Sequence, residues 1–533
     1  TIALHYVFES PKDKIVYDVS HQTYPHKMLT GRKDAYLYEE HYDDVSGYSN
    51  PHESEHDHFI IGHTSTSVSL ACGLAKARDL NGEKGNVIAV IGDGSLSGGE
   101  ALEGFDYAIE LEGNLIIVVN DNDMSIAENH GGLYGNLKLL RETNGQAECN
   151  LFKAMGLDYV YVNEGNDVAS LIDAFNKVKD SKKPVVVHIN TLKGKGYAPA
   201  EQNKEQWHWC MPFDRETGKP TISFGDGEDY TSITAEYIMR KAKSDSEFLV
   251  ITPAMPGSAG LNQEQRKELG LQYVDVGIAE EQAVAMASGA AKNGAKPLVV
   301  TNTTFIQRAY DQISHDVCIN NSSVTILLNY NSFDSLTDVT HLGIFGLAAY
   351  TNVPNLVVLA PTSKDEYLSM LDWSVDQREH PVMILIPGNQ VTYREADKDF
   401  NRLNHFKVEE AGEKVAILAL GDFYQRGEQL SAKIKAELGF TPTLINPRFA
   451  SGIDKELLES LSERHQMVIT MEDGILSGGF GEKIASFYGS SDMKVKNYGL
   501  EKKFYDRYDP NELLKEVGMT PAQIIADICN QLK

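Results

Sequence analysis

Cysteine is scarce in this chain and shows no pairing pattern. The 533 residues include five cysteines, which are Cys72, Cys149, Cys210, Cys318 and Cys529. No two of them stand in a CxxC spacing, so the sequence gives no indication of a cysteine metal site or a disulfide framework. This scatter is typical of a reduced compartment, and we expect a cytoplasmic protein.

Positive charge is also in short supply. Lysine and arginine number 49 against 76 aspartates and glutamates, which gives a formal net charge of −27. This balance argues against nucleic acids and anionic membranes as partners. An anionic substrate would therefore have to be bound by cations placed locally in its site.

Long hydrophobic runs are missing as well. No apolar segment approaches the length of a membrane span, and the sequence shows no signal peptide. The chain begins at Thr1 inside an apolar segment without an initiator methionine, so we expect further residues to precede it.

Short β-branched runs alternate with longer amphipathic segments from end to end, which predicts an α/β protein with mostly parallel sheets. The predicted strands are Ile15–Val19, Val87–Ile91, Leu115–Val119, Val185–Ile189, Phe248–Thr252, Tyr273–Val276, Pro297–Val300, Val324–Leu328, Leu356–Leu359, Val382–Ile386, Val415–Leu418, Thr443–Ile445 and Met467–Thr470. Two polar stretches, Lys204–Thr231 and Gln390–Gly412, are predicted linkers. We therefore expect three α/β domains, at residues 1–203, 232–400 and 401–533, with residues 204–231 as a linker.

The segment Val87–Met124 carries the clearest functional signal. Two apolar runs end in Gly92-Asp93-Gly94 and in Asn120-Asp-Asn122-Asp-Met124, so that Asp93 and Asn122 stand 29 positions apart. Ligands of open parallel sheets bind at the carboxyl ends of the strands, and oxygen ligands suit Mg²⁺. The pattern resembles the signature of thiamine diphosphate enzymes. A second GDG, at residues 225–227, lacks the preceding strand and is predicted to be a loop turn.

A second constellation lies in the middle domain. Glu280 follows a predicted strand and begins a predicted helix, and Phe305 lies in the segment Thr304–Gln312. Each residue alone is explained by helix capping or by a hydrophobic core. Thiamine chemistry needs both types of group, a carboxylate that hydrogen-bonds the aminopyrimidine and an aromatic ring that holds it.

These motifs and their order resemble the 1-deoxy-D-xylulose-5-phosphate synthase family, the pyruvate-using relatives of transketolase. The resemblance covers nearly the whole chain, and the segments that carry it are Asp18–Lys27, Thr30–Arg32, Gly62–Ser67, Gly92–Gly94, Asn120–Ile126, Lys193–Tyr197, His208–Asp214, Ile278–Glu280, Phe305–Gln312, Thr340–His341, Glu472 and Gly478–Gly479.

The resemblance implies a role for each matched residue. Asp93, Asn122 and the Met124 carbonyl would hold Mg²⁺, Glu280 would activate thiamine diphosphate, and Phe305 would stack on its pyrimidine. The other implied cofactor-binding residues are His63, Gly92, Gly94 and Ser95. The implied catalytic residues, besides Glu280, are His21, His208, His341 and Arg308. His188 and His315 lie outside these motifs and are interpreted as structural.

The implied reaction is decarboxylation of pyruvate and transfer of its two-carbon unit to an aldehyde, by a homodimer whose cofactor lies where two domains of one subunit meet. The alternatives are a transketolase that takes a ketose donor, a dehydrogenase component that passes its acyl group to a lipoyl protein, and a non-catalytic relative. Turnover with pyruvate or with a ketose phosphate separates the first two.

The sequence departs from the family where the acceptor's phosphate is expected to bind. Arginines of the family pattern correspond here to Tyr330 and Pro387, and between Arg308 and Arg378 the only basic side chain of the lysine or arginine type is Lys364. Other departures are Asn302, Gln282, Thr337 and a shorter segment Gly131–Leu151. Either the acceptor is not glyceraldehyde 3-phosphate, or Arg394, Lys195 or another basic residue replaces the missing pair.

Overall fold

The structure is a computed structural model that describes residues 1–222, 227–388 and 390–533. Most of the second GDG lies outside the described residues, so its predicted turn stays a prediction. The chain divides into two compact units. The first contains the described residues of 1–226 together with Val276–Ala279, and the second contains Gly227–Asp275 and the described residues of 280–533.

The strands of the described residues form three sheets. In chain order they are β1 Lys14–Tyr17, β2 Val87–Gly92, β3 Ile116–Asp121, β4 Asp158–Val162, β5 Val185–Asn190, β6 Phe248–Thr252, β7 Tyr273–Asp275, β8 Lys296–Asn302, β9 Thr325–Asn329, β10 Val357–Leu359, β11 Val382–Leu385, β12 Lys407–Glu410, β13 Lys414–Ala419, β14 Thr443–Asn446, β15 His465–Ile475 and β16 Lys494–Leu500.

The α-helices lie mostly between these strands. They are α1 Ile2–Val7, α2 Tyr24–Lys27, α3 Ser67–Leu80, α4 Gly99–Ala108, α5 Gly132–Glu142, α6 Leu151–Ala154, α7 Val168–Val178, α8 Ala198–Gln202, α9 Tyr230–Ser244, α10 Gln263–Leu269, α11 Glu280–Lys292, α12 Tyr310–Gln312, α13 Gly346–Tyr350, α14 Lys364–Asp376, α15 Tyr424–Leu438, α16 Lys455–Leu461, α17 Phe480–Tyr488, α18 Pro510–Glu516 and α19 Pro521–Gln531. No helix within the described ranges is long and apolar enough to cross a membrane.

The first unit is built on a parallel sheet with strand order β1-β2-β3-β5-β4. Successive residues of β2 point to opposite faces, so that Ala89 belongs to one core and Val90 to the other. Both cores are fully buried, which explains why β2 and β3 are continuous apolar runs and do not alternate with polar residues. The sheet thereby fixes the carboxyl ends of β2 and β3 side by side.

The second unit contains two sheets. One is parallel, with order β10-β11-β9-β8-β6-β7, and the other has order β12-β14-β13-β15-β16. In the latter only β12 is antiparallel, where it pairs with β14. The prediction of an α/β fold with mostly parallel sheets is confirmed.

All thirteen predicted strands are present, with ends that shift by a few residues, and three further strands were missed. The missed strands are β4, β12 and β16, and each lies at an edge of its sheet. Edge strands expose one side to water and keep polar residues there, so they lack the apolar run on which the prediction relied. Consequently the predicted linker Gln390–Gly412 was wrong in part, because it contains β12, and α9 begins at Tyr230 inside the predicted linker 204–231.

Candidate active site

The two oxygen-bearing residues predicted to bind a metal follow neighbouring strands of the first unit. Gly92 at the end of β2 pairs in register with Asn120 of β3, and the Asp93 amide donates to the Asn120 carbonyl at 3.1 Å. The loops carrying Asp93 and Asn122 therefore leave the sheet at the same edge. The expected juxtaposition of these two segments is present.

Asp93 is a buried carboxylate, with 1% of its surface exposed. Its Oδ2 accepts hydrogen bonds from the Met124 amide at 3.1 Å and from the Asn129 amide nitrogen at 2.7 Å. Burial, with a smaller contribution from the Asp121 charge, raises the pKa of Asp93 to about 7. A divalent cation would stabilise the ionised form of such a buried carboxylate.

Two side-chain amide oxygens in the loops beside Asp93 also lack hydrogen bonds within the described structure. Within the described structure, the Asn122 Oδ1 and Asn129 Oδ1 atoms are buried and have no hydrogen-bond partner. Buried polar atoms without partners are rare in native proteins and point to an absent ligand or water. A carboxylate with neighbouring amide and carbonyl oxygens is a donor set that suits Mg²⁺.

Asp18 joins the loops that carry two of the predicted histidines. Its carboxylate is fully buried and accepts from the Ser65 amide at 2.9 Å and the Ser67 amide at 3.0 Å, at the start of α3. His63 precedes these amides and His21 follows Asp18, where it is exposed. Between Asp18 and His21, Val19 has a φ of +61°, a strained value for a β-branched residue. The chain therefore turns sharply to present His21 at this edge.

The loop Gly94–Ser97 is held against the same region. The Ser65 hydroxyl donates to the Ser95 carbonyl at 2.8 Å, and a Cβ added to Gly98 would lie 2.2 Å from the Ser65 Oγ. A Cβ on Gly94 would lie 2.9 Å from the Ser125 side chain. The predicted residues Gly94 and Ser95 thus pack where backbones approach closely, as the glycines of a cofactor loop do.

Lys193 connects the Met124 loop to the third predicted histidine. Its ammonium group donates to the Ser125 carbonyl and lies 3.0 Å from His208 Nδ1. Partial desolvation lowers the pKa of Lys193 to about 8. Desolvation and the Lys193 charge also lower the pKa of His208 to about 4, although the side chain is partly exposed to solvent. His208 is therefore a neutral imidazole at pH 7.

The catalytic carboxylate predicted in the second unit is Glu280, the first residue of α11. It is 3% exposed, and its Oε2 has no hydrogen-bond partner among the described residues. Arg308 Nη1 lies 3.7 Å from this oxygen. Burial raises the pKa of Glu280 to about 7 despite the opposing charge of Arg308. Glu280 can consequently hold or release a proton near neutral pH, as a general acid or base requires.

Phe305 and His341 adjoin each other in the second unit. Their ring centroids are 5.5 Å apart in an edge-on arrangement. His341 Nδ1 lies 2.7 Å from the Thr340 hydroxyl, which itself lies 2.7 Å from Asp338 Oδ1. If the single hydroxyl proton goes to the carboxylate, His341 donates from Nδ1 and leaves Nε2 as an acceptor. Burial lowers the pKa of His341 to about 4, so the ring is neutral.

Sequence reasoning missed three residues of these sites. Asp18 stands in a quoted motif, but its role as the acceptor of two distant amides could not be inferred from the motif. Asn129 and Lys193 likewise act through contacts 36 and 68 residues away. His188, by contrast, agrees with its structural interpretation: it is buried between Asp121 and Tyr159, at 2.8 Å from each.

Comparisons with known proteins cover almost the entire chain. The family model of 1-deoxy-D-xylulose-5-phosphate synthase matches residues 1–149 and 141–191, the transketolase pyrimidine-binding domain matches 227–392, and the transketolase C-terminal domain matches 404–524. Similar curated proteins are the 1-deoxy-D-xylulose-5-phosphate synthases of Desulforudis audaxviator, at 35% identity over 98% of this chain and 88% of theirs, and of Alkaliphilus oremlandii, at 36% over 99% and 90%.

The chain belongs to the 1-deoxy-D-xylulose-5-phosphate synthase family. A solved structure titled as a split gene transketolase, an inactive beta4 tetramer, supports the fold with a TM-score of 0.51 at 21% identity, covering 57% of this chain and 98% of that one. The family is dependent on thiamine diphosphate and Mg²⁺. The side-chain oxygens of Asn122 and Glu280 that lack hydrogen-bond partners in the described part of the chain, each in its own unit, fit such groups.

Proposed function

We propose that this protein is a thiamine diphosphate- and Mg²⁺-dependent carboligase that decarboxylates pyruvate and transfers the remaining two-carbon unit to an aldehyde. The observation that carries the proposal is the buried Glu280 carboxyl group, with a pKa raised to about 7 and one oxygen without a partner among the described residues. Membership of a family whose curated relatives are named for deoxyxylulose phosphate synthesis supports the choice of pyruvate as donor.

The overall reaction balances as one carbon–carbon bond broken and one formed. The bond between the carboxylate and the keto carbon of pyruvate breaks, and the carboxylate leaves as CO₂. The keto carbon then bonds to the aldehyde carbon, and the aldehyde oxygen takes up one proton to become a hydroxyl group. When bound, thiamine diphosphate would supply a nucleophilic ring carbon for the keto carbon and a cationic thiazolium ring that can hold the electron pair released by decarboxylation.

Glu280 is suited to exchange a proton with a ring nitrogen of the cofactor. Because its pKa lies near 7, both protonation states are populated under working conditions. Arg308, at 3.7 Å, stabilises the ionised form and keeps the carboxylate from becoming permanently protonated. Phe305 follows β8 at the same sheet edge and offers a flat apolar surface, which suits the pyrimidine ring.

Magnesium and the diphosphate are assigned to the first unit. Asp93 and Asn122 Oδ1 provide oxygen ligands, and the Met124 carbonyl is assigned as the third by the family motif. The Asn122 and Asn129 amide oxygens, which have no hydrogen-bond partner within the described ranges, and the raised pKa of Asp93 support this assignment. Gly92, Gly94, Ser95 and His63 are proposed to contact the diphosphate.

The neutral histidines are proposed to handle protons of the substrates. With the Nδ1 proton directed to Thr340, His341 can take a proton at Nε2 from a hydroxyl group or donate one after protonation. His21 and His208 are assigned the same role from the first unit.

We also propose a cytoplasmic homodimer, for which family membership is the support. A transketolase with a ketose donor remains the second candidate, because the histidine motifs fit both donors.

The experiment compares Glu280→Gln with Glu281→Gln, its neighbour on the same helix. We expect Glu280→Gln to bind Mg²⁺ and thiamine diphosphate with an affinity within a few-fold of the wild type, measured by isothermal titration calorimetry. Its CO₂ release from pyruvate should fall by about a hundredfold or more, because proton transfer contributes about that much. Glu281→Gln should retain release. Near-normal release by Glu280→Gln would contradict the assignment.

A further inference from the structure

The strand ends that carry Phe305 and His341 also carry Tyr330. β8 and β9 pair up to Asn302 and Asn329, and Tyr330 follows with φ +56°, a strained value for a bulky residue. A Cβ on Gly343 would lie 1.9 Å from the Tyr330 carbonyl oxygen, so the loop that bears His341 packs directly on Tyr330. Its phenol side chain is 43% exposed. This edge consists of residues 303–309, 330–343 and 386–388 together with Asp422 and Asp473, which contact it through Gly388 and Ser332, and is called here the acceptor edge.

Carboxyl groups are concentrated on the acceptor edge. The Ser332 hydroxyl lies 2.5 Å from Asp473 Oδ2 and 2.6 Å from Asp334 Oδ1. A hydroxyl group has one proton, so it cannot donate to both carboxylates, and one of them must be protonated. Burial and the neighbouring Asp422 charge raise the pKa of Asp473 well above its usual range, which identifies Asp473 as the protonated one.

The backbone donor at this edge is also occupied by a carboxylate. The Gly388 amide donates to Asp422 Oδ2 at 2.8 Å. Gly388 follows Pro387, which has no N–H group and is buried. The Gly388 amide is thus already bonded to a negative charge of the chain itself, which would repel an anion at this place.

The arginines of this part of the second unit already have carboxylate neighbours. The nitrogen–oxygen pairs are Arg308 with Glu280 at 3.7 Å, Arg426 with Asp334 at 3.8 Å and Arg507 with Asp506 at 3.5 Å. The Arg507 amide donates a hydrogen bond to the Thr337 carbonyl, so Arg507 lies beside the loop that carries His341. A phosphate dianion would have to compete with a carboxylate for each of these cations.

Arg394, the proposed replacement for the missing arginines, is committed elsewhere. Its Nη2 donates to Glu428 at 2.8 Å and its Nη1 to the Thr362 hydroxyl at 3.0 Å. The guanidinium also stacks on Tyr424 at 4.4 Å from the ring centroid. The Arg394 guanidinium already has an opposite charge, two hydrogen-bond acceptors and an aromatic ring against one face. Moving it to a substrate phosphate would therefore bring little additional stabilisation.

Resting on the proposed carboligase function, we propose that the acceptor edge selects a short hydroxylated aldehyde without a phosphate group. A desolvated phosphate dianion requires uncompensated cations or convergent N–H donors, and this edge presents the carboxylates of Asp334 and Asp422. The neutral Tyr330 phenol both donates and accepts a hydrogen bond, which suits a terminal hydroxyl group. Tyr330 and Asp422 are the specificity-determining residues.

The test measures CO₂ release and ketose formation from pyruvate with two acceptors, D-glyceraldehyde and D-glyceraldehyde 3-phosphate, in the cofactor-loaded enzyme. We expect kcat/KM to be at least about tenfold higher for D-glyceraldehyde. For the phosphorylated acceptor, kcat/KM should rise with added salt, because salt screens repulsion. A preference for glyceraldehyde 3-phosphate, or a fall of its kcat/KM with salt, would overturn the proposal.

Charge changes at the acceptor edge should reverse the preference. Tyr330→Arg combined with Asp422→Asn should raise kcat/KM for glyceraldehyde 3-phosphate by about tenfold or more. The matched controls are Tyr330→Gln, which alters the same side chain without adding charge, and Asp492→Asn, which removes an exposed carboxylate on the loop before β16. An equal gain in either control would contradict the electrostatic argument.

A binding measurement keeps this proposal separate from the proposed function. Glycerol 3-phosphate is added to the wild type and to the double variant without pyruvate, and saturation-transfer NMR detects contact. We expect binding only to the double variant, whereas binding to the wild type at millimolar concentration would overturn the acceptor proposal. If neither aldehyde supports CO₂ release, the carboligase function fails, and the binding result still decides whether the edge rejects phosphate.

Discussion

Replacing Asp93 by asparagine should stabilise the unliganded protein and at the same time abolish its response to Mg²⁺. Asp93 is 1% exposed, and burial raises its pKa from 3.8 to about 7. Above pH 7 the carboxylate is ionised in both folded and unfolded chains, so the folded state alone carries the cost of the buried charge. At about 1.36 kcal/mol for each pKa unit, the upper limit of this cost is about 4 kcal/mol.

The sign of the pH dependence follows from the raised pKa. Below the unfolded value of 3.8 the group is protonated in both states and costs nothing, and the cost grows until the pH passes about 7. Asparagine never ionises, so the stabilisation of Asp93→Asn relative to the wild type should be larger at pH 8 than at pH 6. The hydrogen bond with Asn129 can be retained, because the Asn129 Oδ1, which has no partner among the residues that the structure describes, can accept once that amide rotates.

Asp121 provides the matched control, since it is a fully buried aspartate at the end of the adjacent strand. Arg141 at 2.7 Å and His188 at 2.8 Å hold its pKa below the usual value. Asp121→Asn should therefore destabilise the protein by about 3 kcal/mol, because it removes the buried negative charge that pairs with Arg141 and His188.

Thermal midpoints of the unliganded proteins, measured in EDTA at pH 6 and pH 8, test the predicted stabilisation by Asp93→Asn and the predicted destabilisation by Asp121→Asn. Addition of Mg²⁺ and thiamine diphosphate should raise the midpoint of the wild type and leave that of Asp93→Asn unchanged. A lower midpoint for Asp93→Asn than for the wild type in EDTA would refute the argument from buried charge. An undiminished response to Mg²⁺ and cofactor would refute the assignment of Asp93 as a metal ligand.

Two further substitutions test the packing of the loops. Asp18→Ala leaves two buried amides without an acceptor and should lower the free energy of unfolding by about 2–4 kcal/mol in urea titrations. A change below about 0.5 kcal/mol would show that these two hydrogen bonds do not stabilise the loop. Gly343→Ala places a methyl group 1.9 Å from the Tyr330 carbonyl oxygen and should cost about 2 kcal/mol or more, whereas Gly289→Ala, where space is open within α11, should be neutral or stabilising. Equal stabilities of these two alanine variants would show that the Gly343 loop is not tightly packed.

The sequence predicts well that the loops of Asp93 and Asn122 leave the sheet at one edge, because the determinants of this arrangement are local. Two buried strands and their spacing are enough to bring Asp93 and Asn122 to one edge of a parallel sheet. The three missed strands lie at sheet edges, where polar residues such as those of Lys407–Glu410 replace the apolar run. Val19 was predicted to continue β1, but the strand ends at Tyr17 and the chain turns with positive φ to reach His21.

Contacts between distant parts of the chain could not be predicted in this way. Ser332 meets Asp473 across 141 residues, and the sharing of one hydroxyl proton depends on that meeting. The same limit applied to Arg394, which sequence reasoning kept as a replacement for the missing arginines. Its contacts with Glu428 and Tyr424 belong to the tertiary structure.

The most direct test of the central claim follows the carbon atoms of pyruvate. The protein is incubated with Mg²⁺, thiamine diphosphate, D-glyceraldehyde and pyruvate labelled with ¹³C at its keto carbon, and the products are identified by ¹³C NMR. We expect release of unlabelled CO₂ and a ketose whose labelled carbonyl carbon is bonded to the former aldehyde carbon. Failure to consume pyruvate with D-glyceraldehyde or glyceraldehyde 3-phosphate, combined with turnover of a ketose phosphate donor, would contradict it.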